Sequence, residues 1–194
     1  ISQGNTLIFT LAWIPSLDIN LVFYVDGLSV TFGLIITGIG ALVTLYSIFY
    51  LSKEHEALNN FYVYLLLFMG SMLGLVFSDN IFVLYAFWEL TTIASFLLIA
   101  FWFEREKSRY GALKSLVITI LGGLSMLAGF IMLAMVTDTH SIRAMVASAD
   151  LITAHYLFIP AMALILLGAF TKSAQFPFSI WLPDAMEAPT PISA

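Results

Sequence analysis

The chain has 194 residues, of which 61% are hydrophobic and only 10% are charged, and its formal net charge is −5. Soluble domains contain roughly 45–50% apolar and about 25% charged residues, so a soluble enzyme and a nucleic-acid-binding domain are excluded and an integral membrane protein is indicated. The chain has no cysteine and its three histidines are scattered, so we expect no disulfide, no bound metal and no cofactor.

The first 27 residues mix apolar side chains with Pro15, Asp18 and Asp26. The alternation of polar and apolar residues over Asp18–Asp26 predicts a short extended or interfacial segment. We therefore predict that residues 1–27 form an extracytoplasmic segment.

Residues 28–194 contain five hydrophobic stretches of about 17–25 residues, the length that crosses a hydrocarbon core of roughly 30 Å. These stretches are Leu28–Leu51, Phe61–Phe77, Ile81–Phe103, Ala112–Val136 and Leu157–Gln175. We predict an all-α, polytopic transmembrane helix bundle with five spans and the start of a sixth. We interpret both ends of the sequence as truncated, and we expect an internal fragment of a longer protein.

Positive side chains cluster at one end of the predicted spans. Lys53 follows the first span and the segment Arg105–Lys114 follows the third, whereas Arg143 lies in the opposite loop. The positive-inside rule therefore predicts that Lys53 and Arg105–Lys114 face the cytoplasm.

The final stretch, Ala163–Ala194, predicts a broken helix near the C-terminal end. It carries Lys172 inside an apolar run and then four prolines, Pro177, Pro183, Pro189 and Pro191. A helix break at membrane depth is tolerated only where protein or a water-filled cavity covers the freed backbone. A lysine beside such a break is typical of an ion pathway, and snorkelling to an interface is the alternative.

Glu89 is a second ionisable residue inside a span, about eight residues from its outer end, or roughly 12 Å deep. The depth of Lys172 is similar enough for the two groups to communicate. Two interpretations stand: a proton relay, in which each charge controls the protonation of the other, and a static ion pair that fixes helix packing. Lys114 is either an interfacial anchor or the cytoplasmic end of a proton path.

Small residues within spans predict close helix packing. Gly70 and Gly74 form one G-x-x-x-G motif, and Gly122, Gly123 and Gly129 lie in the fourth span. Tryptophans near the span ends, Trp102 and Trp181, are interpreted as interfacial anchors.

Three segments resemble the proton-translocating antiporter-like subunits of respiratory complex I and of Mrp-type multisubunit cation/proton antiporters. These segments are GAFTKSAQFPFSIWLPDAMEAPTPISA, FWELTTIASFLLIAFWF and SRYGALKSLVITILGG. Three sequences are more similar to the large-subunit branch of the Mrp antiporters than to complex I. They are DAMEAPTP and, upstream, SIFYLS and LNNFYVYLLLFMG. The resemblance covers nearly the whole chain.

The resemblance implies that Glu89 and Lys172 act as a coupled proton-translocating pair, and that Lys114 occupies a position where the family often keeps another lysine. It implies a subunit of a bacterial cell-membrane complex that exchanges a monovalent cation, Na⁺ in our expectation, for protons. The alternative is a proton-pumping subunit of complex I or of a membrane-bound hydrogenase. Ser179 stands where the family usually has histidine, and serine cannot titrate near neutral pH.

Overall fold

The computed structural model describes residues 6–17, 19–51 and 57–193 and confirms the predicted helical bundle. The helices are α1 Gly27–Tyr50, α2 Leu58–Phe77, α3 Ile81–Ile99, α4 Glu106–Thr137, α5 Ile142–Ala147, α6 Ala149–Ala154, α7 Phe158–Lys172, α8 Leu182–Ala185 and α9 Thr190–Ser193. The first four are long and apolar enough to cross a membrane. The fifth predicted span is the 15-residue helix α7, which ends at Lys172.

An antiparallel hairpin precedes the helices, and only its second strand lies in the segment predicted to be extended. Strand β1, Leu7–Ile14, pairs with strand β2, Ile19–Val25. The extended segment is confirmed for residues 19–25, and Asp18 and Lys53 lie outside the described residues. The sequence did not predict β1 because LIFTLAWI is almost continuously apolar and lacks the alternation that identifies a half-buried strand.

The start of α1 is fixed by a capping box immediately after the hairpin. The Asp26 carboxylate accepts a hydrogen bond from the Ser29 backbone N–H at 2.8 Å, and the Ser29 hydroxyl accepts one from the Asp26 N–H at 2.8 Å. These bonds lower the pKa of Asp26 below its usual value, because the charged carboxylate is the better acceptor.

The turn between α2 and α3 joins three parts of the chain at the hairpin end of the bundle. The buried Asp79 carboxylate accepts hydrogen bonds from the Ser141 hydroxyl at 2.9 Å and from the Arg143 Nε at 3.1 Å. The Asp79 N–H donates to the Val22 carbonyl of β2, and the Arg143 guanidinium lies 3.9 Å from the Tyr24 ring centroid. Asp79 therefore ties the hairpin, the start of α3 and the segment after α4 together.

Helices α4 and α7 approach closely at small residues, as the sequence predicts. A Cβ added at Gly129 would lie 2.6 Å from the Ala161 carbonyl oxygen, and one at Gly168 would lie 2.7 Å from the Gly122 carbonyl oxygen. In the G-x-x-x-G motif of α2, a Cβ at Gly74 would overlap the Phe87 ring of α3, whereas nothing lies within 4 Å of a Cβ at Gly70. The close approach of α4 and α7 brings Lys172, at the end of α7, into the interior of the bundle.

Candidate functional site

Glu89 lies in the middle of α3 and faces α4 at a glycine. Its Oε1 atom is buried and has no hydrogen-bond partner among the described residues. The neighbouring Trp88 Nε1 is also buried and also lacks a hydrogen-bond partner among them. A Cβ on Gly123 would overlap Glu89 Oε1. The carboxyl group therefore fits between the two helices only because residue 123 has no side chain.

Tyr85 lies one turn before Glu89 on α3 and interacts with the same carboxyl group. Buried polar groups in folded proteins nearly always have a partner in protein or water. Glu89 Oε1 is therefore a candidate proton-binding atom.

Lys172 is the last residue of α7, and its amine contacts α3 one turn beyond Glu89. Lys172 Nζ donates a hydrogen bond to the Thr92 Oγ1 at 2.6 Å and lies 5.5 Å from the Trp88 ring centroid. Thr92 is fully enclosed, with 2% of its surface exposed. The lysine is therefore directed into the bundle and does not snorkel.

The chain reverses immediately after Lys172. The Gln175 N–H donates to the Phe170 carbonyl at 2.9 Å, and the Ala174 N–H donates to the Thr171 carbonyl at 3.4 Å. This pattern is the Schellman ending, and it places Ala174 at a φ of 52°, a region that glycine normally occupies. The strained alanine ends α7 at the lysine.

Trp181 stabilises this break, and its role as an interfacial anchor stays a prediction. Its indole Nε1 donates to the Thr171 carbonyl at 3.0 Å, so this carbonyl accepts a second hydrogen bond besides the one from the Ala174 N–H. The 3₁₀ helix Phe178–Trp181 carries both this tryptophan and Ser179. Trp102 lies at the end of α3, with the Arg105 guanidinium 4.0 Å from its ring centroid.

Lys172 contacts α3 at Thr92, one turn after Glu89, but Lys172 and Glu89 do not form a direct ion pair. Within a 4.0 Å limit, the described residues contain two ion pairs, Arg143 with Asp79 and Lys114 with Asp184. Both side chains nevertheless lie at neighbouring turns of α3, because Lys172 Nζ bonds Thr92 and Glu89 lies three positions before Thr92. The structure thus brings the two predicted residues to one site while leaving them unbonded.

Lys114 lies away from this pair. It is near the N-terminal end of α4, whereas the hairpin lies near the C-terminal end of that helix. Its Nζ donates to Asp184 Oδ2 at 2.6 Å and lies 5.7 Å from the Tyr110 ring centroid. A Cβ on Gly111 would overlap the Asp184 carbonyl oxygen. Lys114 and Gly111 therefore hold α8, and with it the broken segment, against α4.

A cavity of about 700 Å³ adjoins the amine of Lys172. Its walls are mainly apolar side chains of α1, α2, α3 and the C-terminal segment. Six hydroxyl-bearing residues interrupt the apolar lining: Thr91, Thr92, Ser95, Ser115, Thr119 and Ser193. The described residues contain no group of three or more His, Cys, Asp or Glu side chains placed to bind a metal ion.

Sequence comparison assigns the chain to a family. Residues 78–194 match the family described as NADH:quinone oxidoreductase/Mrp antiporter, TM, and residues 12–62 match the family described as NADH-Ubiquinone oxidoreductase (complex I), chain 5 N-terminus. The chain belongs to the NADH:quinone oxidoreductase/Mrp antiporter family. As a member of that family with four span-length helices, it is a multi-pass membrane protein.

Curated relatives within the family match the whole chain at high identity. A Na⁺/H⁺ antiporter subunit of Alkalihalophilus pseudofirmus is 65% identical over 193 residues, which is 100% of this chain and 24% of the relative. The corresponding Na⁺/H⁺ antiporter subunit of Bacillus subtilis is 70% identical over 192 residues, which is 99% of this chain and again 24% of the relative. The chain thus spans about a quarter of the length of these relatives.

Solved structures agree with the sequence matches. A chain of the Mrp complex from Dietzia sp. is 38% identical, with a TM-score of 0.90 over 97% of this chain and 20% of that chain. A chain of the membrane-bound sulfane sulfur reductase, an archaeal respiratory membrane complex, is 25% identical, with a TM-score of 0.80 over 99% of this chain and 39% of that chain. The antiporter-like helical fold predicted from the sequence is therefore confirmed.

Proposed function

We propose that this chain forms the proton-handling part of a subunit of a monovalent cation/proton antiporter, with Na⁺ as the cation. The observation that carries this proposal is the buried site at which Glu89 Oε1 has no hydrogen-bond partner among the described residues and Lys172 lies one turn away. The names of the 65% and 70% identical relatives, both antiporter subunits, support the same activity.

In the proposed mechanism, a proton from one side of the membrane binds the Glu89 carboxylate and forms a neutral acid. When Lys172 is an uncharged amine, it takes this proton and becomes an ammonium, and Glu89 returns to the carboxylate. The ammonium then releases the proton toward the other side. Each transfer changes the charge next to the partner group, so the two steps are coupled.

The proposal places the protein in a bacterial cell membrane together with the other subunits of a multisubunit complex. The similarity to a chain of the Mrp complex supports such partners. Following the positive-inside rule, we propose that Lys53 and Arg105–Lys114 face the cytoplasm. Lys114 then anchors the broken segment near the cytoplasmic end of the proton path.

The proposal is tested with everted vesicles that carry the full-length protein and its partner subunits. An acid-inside pH gradient is established, and Na⁺ or K⁺ is added while the gradient is followed. We expect Na⁺ to dissipate the gradient in wild type, and Glu89→Gln and Lys172→Ala to abolish this response. The matched controls Glu106→Gln and Lys107→Ala, both at exposed positions at the start of α4, should behave like wild type. Wild-type exchange in either site variant contradicts the proposal.

A redox-driven proton pump is the second candidate function. It is favoured by the similarity to a chain of an archaeal respiratory membrane complex and by the family descriptions that name NADH oxidoreductases. If neither Na⁺ nor K⁺ affects the gradient and an electron donor builds it through the complex, the redox function replaces antiport.

A further inference from the structure

The hydroxyl group of Thr92 makes two hydrogen bonds that together define its role. It donates to the Trp88 carbonyl at 3.2 Å, one turn earlier on α3, and it accepts from Lys172 Nζ at 2.6 Å. A threonine hydroxyl has one proton and two acceptor lone pairs. Because its proton is directed to the backbone, its lone pairs face the lysine and it acts there only as an acceptor.

Another acceptor, Glu89 Oε1, lies one turn before Thr92 on α3 and receives no hydrogen bond from this amine. Glu89 Oε1 is buried without a partner among the described residues, and Glu89 precedes Thr92 by three positions, so the two side chains lie on one face of α3. A carboxylate is normally the stronger acceptor for an ammonium group, because charge-assisted hydrogen bonds are roughly twice as strong as neutral ones. The lysine is nevertheless bonded to the hydroxyl.

We propose that Thr92 is a positioning residue whose hydroxyl holds the Lys172 amine away from Glu89, so that the acid and the base remain available as separate proton carriers. The inference rests on the proposed function. Without this acceptor, the amine is expected to pair directly with the carboxylate, and a closed ion pair of this kind resists the transfer of a proton. The ionisable residues of α3 near Thr92 are Tyr85 and Glu89, and Lys172 reaches this part of α3 from α7.

The adjacent residue provides a matched control. Thr91 is equally buried, with 1% exposed, and its hydroxyl donates to the same Trp88 carbonyl at 2.6 Å. The hydrogen bond from Lys172 is made to Thr92. Thr91→Val therefore removes a comparable buried hydroxyl without removing the proposed acceptor.

The experiment measures Na⁺-dependent dissipation of the pH gradient across a range of pH in everted vesicles with the complete complex. We expect Thr92→Val to lower the exchange rate by about tenfold or more, the scale expected for losing a hydrogen bond to a charged group, and to change the shape of the pH profile. Thr92→Ser, which keeps the hydroxyl, should retain the wild-type profile. Thr91→Val should retain both the rate and the profile.

Three outcomes would overturn the inference. The first is a wild-type exchange rate and pH profile in Thr92→Val, and the second is an equal loss of exchange rate in Thr92→Val and Thr91→Val. The third is an exchange rate in Thr92→Ser as low as that in Thr92→Val. If Thr92→Val does not assemble, Thr92→Ala against Thr92→Ser gives the same comparison. Loss of exchange in Lys172→Ala alongside an unaffected Thr92→Val leaves the proposed antiport intact and removes only the role of Thr92. Exchange that persists in both Glu89→Gln and Lys172→Ala removes the proposed function itself.

Discussion

Replacing Gly123 by alanine tests whether the position of the Glu89 carboxyl group determines activity. The added Cβ would occupy the place of Glu89 Oε1 and lie 3.2 Å from Glu89 Cδ, whereas its distance to Trp88 Cδ1 would be 3.6 Å. The colliding atom is the end of a rotatable side chain, so the carboxyl group can turn away without a shift of the helix backbones. The substitution therefore displaces the proposed proton acceptor and changes little else.

The expected energies separate stability from activity. Overpacking typically costs ~1–3 kcal/mol, whereas exchanging glycine for alanine inside a helix gains ~1 kcal/mol. The net loss of stability is then about 0–2 kcal/mol, which should permit assembly. We expect the exchange rate to fall by about tenfold to a hundredfold, because misplacing a reacting group by about 1 Å can cost that much.

Two glycine variants in the same protein serve as controls. Gly129→Ala brings a Cβ against the Ala161 carbonyl oxygen, a backbone atom that cannot rotate away, so we expect reduced assembly and a matching loss of activity. Gly70→Ala meets nothing within 4 Å and should be neutral. Exchange per assembled complex is measured in everted vesicles. A Gly123→Ala complex that assembles and exchanges at the wild-type rate would refute the role of the carboxyl position.

Three further variants test the contacts that hold the site in place. Lys114→Glu should reduce assembly by placing two acids together, and the double variant with Asp184→Lys should recover part of the loss, measured as the yield of purified complex. Asp79→Ala should lower the thermal stability of the complex by ~2 kcal/mol, because it leaves the Ser141 and Arg143 donors without their buried acceptor; unchanged thermal unfolding would contradict this. Asp26, whose pKa is lowered, stabilises the start of α1 at pH values above about 3.8 and loses this effect as the pH falls through its folded-state pKa. Asp26→Asn should therefore make unfolding less dependent on pH below about 3.8, whereas an unchanged dependence would exclude Asp26 as a contributor.

The sequence predicts Glu89 and Lys172 as the ionisable residues of the proposed site because a charge inside an apolar span is conspicuous. It did not identify Thr92 or Gly123 as their partners, since these contacts depend on how α3, α4 and α7 are rotated against one another. The spacing of Thr92, three positions after Glu89, was the one available signal for a shared helix face. Likewise, the bond between Lys114 and Asp184 joins residues 70 positions apart, and no local pattern encodes such a contact.

The two ion pairs explain how the site can keep unpartnered polar atoms. An unsatisfied buried polar group costs ~1–3 kcal/mol, and without restraint α3 and α4 would shift to relieve this cost at Glu89 and Trp88. At the hairpin end, Asp79 fixes the start of α3 to the segment after α4, and at the other end Lys114 fixes α4 to α8. With both ends held, the rotatable side chains of Glu89 and Lys172 provide the freedom within the site, and the proposed proton transfer requires rearrangement of these side chains alone.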